Sequence, residues 1–246
     1  MTELPGPKFY DDESVFALYM ASRKRVDNPN DTLERPIMQD LIGDPNGQRY
    51  LDLGCGDAAM GRMLLEKGAR SYVGVEGSQN MTRAARETLA GTAGRVVQAE
   101  LESWRFPEAA FDVLVSSLVV HYVADLDSIL TKVHAALANQ GRFIFSVEHP
   151  VITSSDQGWT TVQRQAWVVD DYFDIGVRVT SWLGGRAIKY HRTFEDYFGA
   201  MQRSGFTVES LRESQPEQAR FADEREYQRR KRIPLFLFLA GRKQSG

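Results

Sequence analysis

Tyr50-Leu51-Asp52-Leu53-Gly54-Cys55-Gly56-Asp57-Ala58-Ala59-Met60-Gly61 is a strand that runs into a glycine turn and out into a helix. The apolar run Arg49–Leu53 stops at Gly54, and a helical pattern occupies Ala58–Lys67 before Gly68 ends it. Glycine lets a backbone come close to a ligand. The start of a helix offers N–H groups with no partner in the helix. Glu76 closes the next strand 22 residues after Gly54, where nucleotide-binding α/β proteins place an acid for ribose hydroxyls.

The glycines alone leave two ligands open, because Gly54-x-Gly56-x-x-Ala59 also fits a relaxed dinucleotide fingerprint. The acids separate them. Asp52 and Asp57 flank the turn, and a carboxylate beside a pyrophosphate is repelled by about 4 kcal/mol at ~4 Å and an effective dielectric near 20. S-adenosylmethionine (SAM) has no phosphate; it carries an ammonium and a sulfonium, which carboxylates favour. The plainer alternative is that both aspartates only cap or hydrogen-bond the loop.

Outward from the turn, strands and helices alternate. Strands are expected at Ser71–Glu76, Arg95–Ala99, Phe111–Ser116 and Arg142–Val147. Between them lie a helix capped by Ser78 and running to about Leu89, and one capped by Asp125 or Asp127 and reaching Leu137. Such spacing implies βαβ units and a parallel sheet. A helix over Phe194–Arg203 and strands at Thr207–Leu211 and Pro234–Ala240 complete it. Upstream, helices are expected at Asp12–Arg25 and Thr32–Ile42. The fold class is therefore α/β: a Rossmann-like, doubly wound, mostly parallel seven-stranded sheet with N-terminal helices. The expected organisation is one domain over 1–246: a helical lid (1–47), a nucleotide core (48–148), an inserted aromatic cap (149–192) and the completion of the sheet (193–246).

In Leu51–Asp57, Val73-Gly-Val-Glu-Gly-Ser78 with Met81, Gln98-Ala-Glu-Leu-Glu102, Phe111–Ser117 and Gly141–Ser146, the chain resembles the class I SAM-dependent methyltransferases, in their small-molecule branch related to ubiquinone and menaquinone enzymes. The likeness covers about residues 48–150. It implies that the turn Gly54-Cys55-Gly56, flanked by the candidate ligand contacts Asp52 and Asp57, holds the methionine part of SAM, and that Glu76 binds the ribose, with Gly77 and Met81 near the adenine. Glu100 and Leu101 would face the adenine edge; the family more often has Asp at Glu100, and Glu102 is the alternative acid. Ser117 and Leu118 would lie under the sulfonium, with His121 and Tyr122 on the rim. S-adenosylhomocysteine would be the product.

Tyr19 and the basic run ending in Arg25 belong to the helical lid, placed to close over SAM. That helix also offers a surface for a homo-oligomer. Base candidates are His149 and His121, which follow strand ends, and His191 before the Phe194 helix, with Glu148 as a further choice. Trp159, Trp167, Tyr172 and Tyr190, with Phe173 and Trp182, make the insertion a candidate acceptor lid, such as a natural-product intermediate would need. The alternative is that these aromatics only pack the insertion onto the sheet.

A net charge of −3 argues against nucleic acid as a partner. The cluster Arg229-Arg230-Lys231-Arg232 reads as a solvated loop. One cysteine, Cys55, excludes an intrachain disulfide and a cysteine zinc site, and no metal is expected. The absence of an apolar run near 18 residues and of a leader-like N-terminus reads as a cytoplasmic protein with no membrane partner. Two other functions stay open: an NAD(P)-dependent oxidoreductase and a SAM-binding protein without turnover.

Overall fold

The computed structural model describes residues 3–4, 6–161 and 164–244. A short strand β1 (Glu3–Leu4) leads into α1 (Gly6–Tyr10) and α2 (Glu13–Arg23). Asp12 caps α2 by accepting from the Ser14 and Val15 N–H groups. A wide turn at Asn30–Glu34 then runs into α3 (Arg35–Ile42). The helix expected from Thr32 thus begins with a π-type turn, which turns Glu34 inward.

Next come β2 (Arg49–Leu53), α4 (Ala59–Glu66), β3 (Ser71–Glu76), α5 (Gln79–Leu89), β4 (Gly94–Gln98), β5 (Phe111–Ser117), α6 (Leu126–Ala136) and β6 (Leu137–Glu148). Ser78 caps α5 by accepting the Met81 N–H, and Asp125 caps α6 through the Ser128 N–H. The second half holds α7 (Pro150–Thr153), a hairpin β7 (Gly176–Trp182) and β8 (Gly185–His191), α8 (Phe194–Arg203), β9 (Phe206–Glu213), α9 (Glu224–Arg230) and β10 (Phe236–Lys243). A capping box, Thr193 with Asp196, starts α8.

The main sheet has seven strands in the order β4-β3-β2-β5-β6-β10-β9. The first five are parallel; β10 runs antiparallel to both β6 and β9. The central strands are buried on both faces and read as continuous apolar runs, while edge strand β9 alternates. One face carries Leu51, Leu53, Leu114, Phe143 and Phe145 under α6 and α8; the other carries Tyr50, Val113, Ile144 and Phe238 under α3 and α4.

A second sheet, β1-β8-β7, is built from the N-terminus and the insertion. Sequence reading gave this insertion no strand. Phe9 and Ala187 are its buried core, with Trp182 packed against them. No helix among the described residues is long and apolar enough to cross a membrane.

Candidate active site

The carboxyl edge of the main sheet opens into a cavity of about 830 Å³. It runs from Ala99 and Leu101, beyond β4, to Leu235 and Phe236 at β10. The crossover at β2 and β5 lies beneath it, which is where open α/β sheets bind ligands.

Gly54 and Gly56 form its floor, both at positive φ (70° and 56°). A Cβ on Gly54 would stand 2.4 Å from Val119 Cγ2. Glu76 crosses to this turn: Oε2 accepts from the Gly56 N–H at 2.9 Å and Oε1 from the Ser78 N–H at 2.8 Å. Burial raises its pKa, and those N–H groups pull it back down. Each oxygen keeps a lone pair for a further donor.

Behind the turn, Asp52 is buried, and its Oδ2 accepts from Tyr72 OH at 2.7 Å. Its Oδ1 has no partner among the described residues. Burial lifts its carboxyl to about 7, against the Tyr72 hydrogen bond; Glu76, Glu34 and Asp57 add repulsion. Glu34 accepts from Ser146 Oγ at 2.9 Å, and burial raises its pKa too. This end of the cavity is thus acidic and glycine-floored.

The N-terminal helices cover it. Pro7 rests on Gly77, where a Cβ would come within 2.7 Å of its ring, and Gly6 lies against Tyr122. Asp11 fastens the cover: its Oδ1 accepts from Ser78 Oγ at 2.7 Å and the Asn80 N–H at 3.2 Å. Tyr10 meets Tyr19 edge-on at 5.2 Å, and both meet Trp182 at about 6 Å. Burial pushes the Tyr19 hydroxyl up to about 12.

Of the expected cofactor residues, Tyr19, Arg25, Gly54, Gly56, Glu76, Gly77, Met81, Leu101, Glu102, Ser117, Leu118 and Tyr122 line the cavity. Four do not. Asp52 stands behind the floor. Asp57 accepts the Ala59 N–H at 3.2 Å, at the start of α4. Cys55 packs under the turn, where a Cβ on Gly74 would meet its Sγ at 2.5 Å, and burial pushes its thiol up. Glu100 points to solvent. Leu118, at φ +57°, carries the strain expected of a non-glycine residue in the left-handed region.

The histidines depart from expectation. His149 is buried away from the cavity: Nδ1 accepts the Val151 N–H at 3.2 Å, Nε2 faces Glu213 at 2.8 Å, and its ring abuts Phe194. His191 uses Nδ1 on Thr153 (2.7 Å) and Nε2 on the Tyr172 carbonyl (2.9 Å). Both therefore fasten the insertion. His121 does line the cavity, but its Nδ1 accepts the Glu148 N–H at 3.3 Å. Burial drops its pKa to about 3, so the ring is neutral with its proton on Nε2. It presents a donor, not a base.

Trp159, Trp167, Tyr172 and Tyr190 also lie outside the wall. Trp167 donates to the Val151 carbonyl at 2.9 Å and meets Trp159 edge-on. Tyr172 packs on His191, and Tyr190 under Arg192. Trp182 is the aromatic that the insertion gives to the cavity. Sequence reading missed Tyr10, Asp11, Glu34 and Lys189. Lys189 is buried, 2.6 Å from Glu148 Oε1 and 5.7 Å from the Tyr122 and Trp182 rings. Of the basic cluster, Lys231 and Arg232 are exposed, while Arg229 and Arg230 belong to a helix and are largely buried. Glu226 pairs with Arg229 and Arg230 one helical turn on, which supports α9. Both arginines line the cavity.

Comparison with known proteins matches this architecture. The profile of the methyltransferase domain fits residues 51–145. A solved SAM-dependent methyltransferase from Mesorhizobium loti is 33% identical, covering 85% of this chain and 97% of that one, with a TM-score of 0.79. A Listeria monocytogenes structure, of a protein proposed to have that activity, is 32% identical over 93% of this chain and 100% of its own, with a TM-score of 0.81. An uncharacterized Haemophilus influenzae protein is 30% identical over 215 residues, 83% of this chain and 85% of its length. The chain belongs to the SAM-dependent methyltransferases. It is an enzyme of that class with SAM as cofactor, and the oxidoreductase alternative falls away. The site suits that cation: the glycine floor at Gly54 lets a ligand approach the backbone, and the buried Asp52, its Oδ1 unpartnered among the described residues, places a carboxyl behind that floor.

Proposed function

We propose that the enzyme transfers the methyl group of SAM to O, N or C of a small-molecule acceptor enclosed in the cavity beneath α1, α2 and the hairpin. The observation that carries this is the cover. The cavity's volume, about 830 Å³, is at the upper end of small-ligand pockets, roughly 300–1,000 Å³. A macromolecule would have to displace a cover held by Asp11, Pro7 and Trp182.

Bound SAM supplies the activated methyl group. Glu76 holds the ribose hydroxyls on its remaining lone pairs, the Gly54–Gly56 turn seats the methionine end, and Gly77, Met81 and Leu101 flank the adenine. Tyr10, Tyr19, Tyr122 and Trp182 exclude water, which strengthens charge interactions inside. Positioning supplies most of the catalysis in such a displacement. When the acceptor arrives protonated, Glu148 Oε2 is the group placed to receive the proton. Lys189 holds Oε1 and keeps the carboxyl below its usual range despite burial.

The test is an acceptor screen with purified enzyme and isotopically labelled SAM, run in parallel on small-molecule extracts, bulk RNA and protein. Label should appear in a small product. Label only in RNA or protein would overturn this reading, and a complex that binds S-adenosylhomocysteine yet labels nothing would favour a non-catalytic role.

A further inference from the structure

The β10 end of the cavity carries a charge that the cofactor does not explain. Arg229 and Arg230 close α9, and their side chains are only 20% and 15% exposed. They share one carboxylate: Glu226 pairs with Arg229 and stands 3.8 Å from Arg230 Nη2. Among the described residues that is the one ion pair of Arg230, and the Nε of each arginine is buried without a partner. The other acids beside this wall are engaged with backbone: Asp223 accepts the Arg225 N–H at 2.9 Å, and Asp27 accepts the Ala222 and Asp223 N–H groups at 2.8 and 3.0 Å. Arg164 lines the same wall and adds a further positive charge. Burial and Arg164 both act against charge on Arg230. A guanidinium does not escape by losing its proton, so a half-dehydrated one without a full partner calls for an anion.

Place identifies whose anion. The glycine turn and Glu76 end β2 and β3, while the arginines stand at β10, beyond β5 and β6 in the sheet. Ser117 and Leu118, ending β5, separate the two ends. Ile152, Leu235 and Phe236 give the arginine end apolar walls.

We propose that Arg229 and Arg230 bind an oxyanion of the methyl acceptor, so that the acceptor is a small carboxylic acid or phosphate ester. This rests on the reading of the cavity as a small-molecule site. The planar fork of arginine suits both oxyanions, bidentate and in fixed orientation. It would hold the acceptor by a group other than the one methylated, leaving its reactive atom to face Leu118.

The probes are inorganic phosphate and acetate, titrated by NMR line width into enzyme saturated with S-adenosylhomocysteine. Saturable binding is expected for at least one, with phosphate the tighter if the acceptor is a phosphate ester and acetate the tighter if it is a carboxylic acid. Arg230→Gln should weaken it tenfold or more and leave S-adenosylhomocysteine affinity unchanged. Glu226→Gln removes the competing carboxylate and should tighten it several-fold, which keeps the test open if Arg230→Gln does not fold. No saturable binding of either ion overturns the proposal. So does a loss of S-adenosylhomocysteine affinity in Arg230→Gln, which would assign the arginines to the methionine carboxylate. Anion binding that behaves as expected beside an acceptor screen labelling only macromolecules would sink the small-molecule reading instead.

Discussion

The two ends of one cavity are charged in opposite senses, and neither end balances itself. On β2 and β3, Asp52 and Glu76 are buried with raised pKa values and held by hydroxyls and N–H groups, while Glu34, on Ser146 of β6, adds a third buried carboxyl. At β10, Arg229 and Arg230 share a single carboxylate. Between them sits the pair Glu148–Lys189, which is matched. Buried charge is costly unless paired. A site that leaves it unpaired at both ends is complementary to a cation at one and an anion at the other.

The central pair is where the comparison breaks most visibly. Lys189→Ala leaves Glu148, whose side chain is 25% exposed beside the cavity, without its cation. Removing one partner of a buried pair costs about 3–5 kcal/mol, a fall in melting temperature of about 6–20 °C for a chain of this size. Calorimetry checks this. A shift under ~2 °C would show that water already screens Glu148 and that the two ends are not electrostatically divided.

The acidic end is probed next by Glu76→Ala. Hydrogen bonds to a charged group are worth about 1.5–3 kcal/mol, so S-adenosylhomocysteine affinity should drop by roughly 10- to 100-fold. Titration calorimetry measures it. An unchanged dissociation constant would take Glu76 out of the cofactor site and leave the acidity of that end without a ligand to explain it.

How far this division was legible in the sequence follows its physics. The acidic end is built from a local pattern: strand, Gly54–Gly56, helix, and Glu76 at the next strand end. Caps such as Ser78 and Asp125 are equally local, and they fall where expected. The cover and the basic end depend on contacts between distant segments. Helix α1 exists because Pro7 and Gly6 find Gly77 and Tyr122, which nothing in Gly6–Tyr10 announces. The β7–β8 turn is Leu183-Gly184, both at positive φ (47° and 77°). Leucine there hides a hairpin signal that Asn-Gly would have given. Trp182, at the end of β7, therefore could not be told from Trp159 or Trp167. The α9 arginines read as solvated because sequence shows their charge and not the wall behind them.

His121, at the boundary, should reveal itself through pH. Its folded pKa, about 3, lies below the unfolded value near 6.5. A depressed pKa means that its contribution is present above 6.5 and is lost as pH falls toward the folded value. The stability gap between wild type and His121→Phe should shrink by about 1.4 kcal/mol per pH unit below 6.5. Denaturant titrations at several pH values test this. A gap independent of pH would mean the ring is hydrated and free to titrate, restoring it as a base.

The smallest effect concerns Asp52, whose folded pKa is raised from 3.8 to about 7. A raised pKa means that its contribution to stability is full below the unfolded value and lost as pH climbs through 7. Ligand charge should act in the reverse direction. SAM exceeds S-adenosylhomocysteine by one positive charge at sulfur, and only the ionised carboxylate can distinguish them electrostatically. The ratio of the two affinities should therefore move toward SAM between pH 6 and 8, by a few-fold to about tenfold, the ~1 kcal/mol scale of a screened charge pair. In Asp52→Asn that drift should vanish while both ligands still bind. If the drift persists in the variant, the discrimination belongs to Glu76 or Glu34, and the unpartnered Oδ1 serves the fold rather than the cofactor.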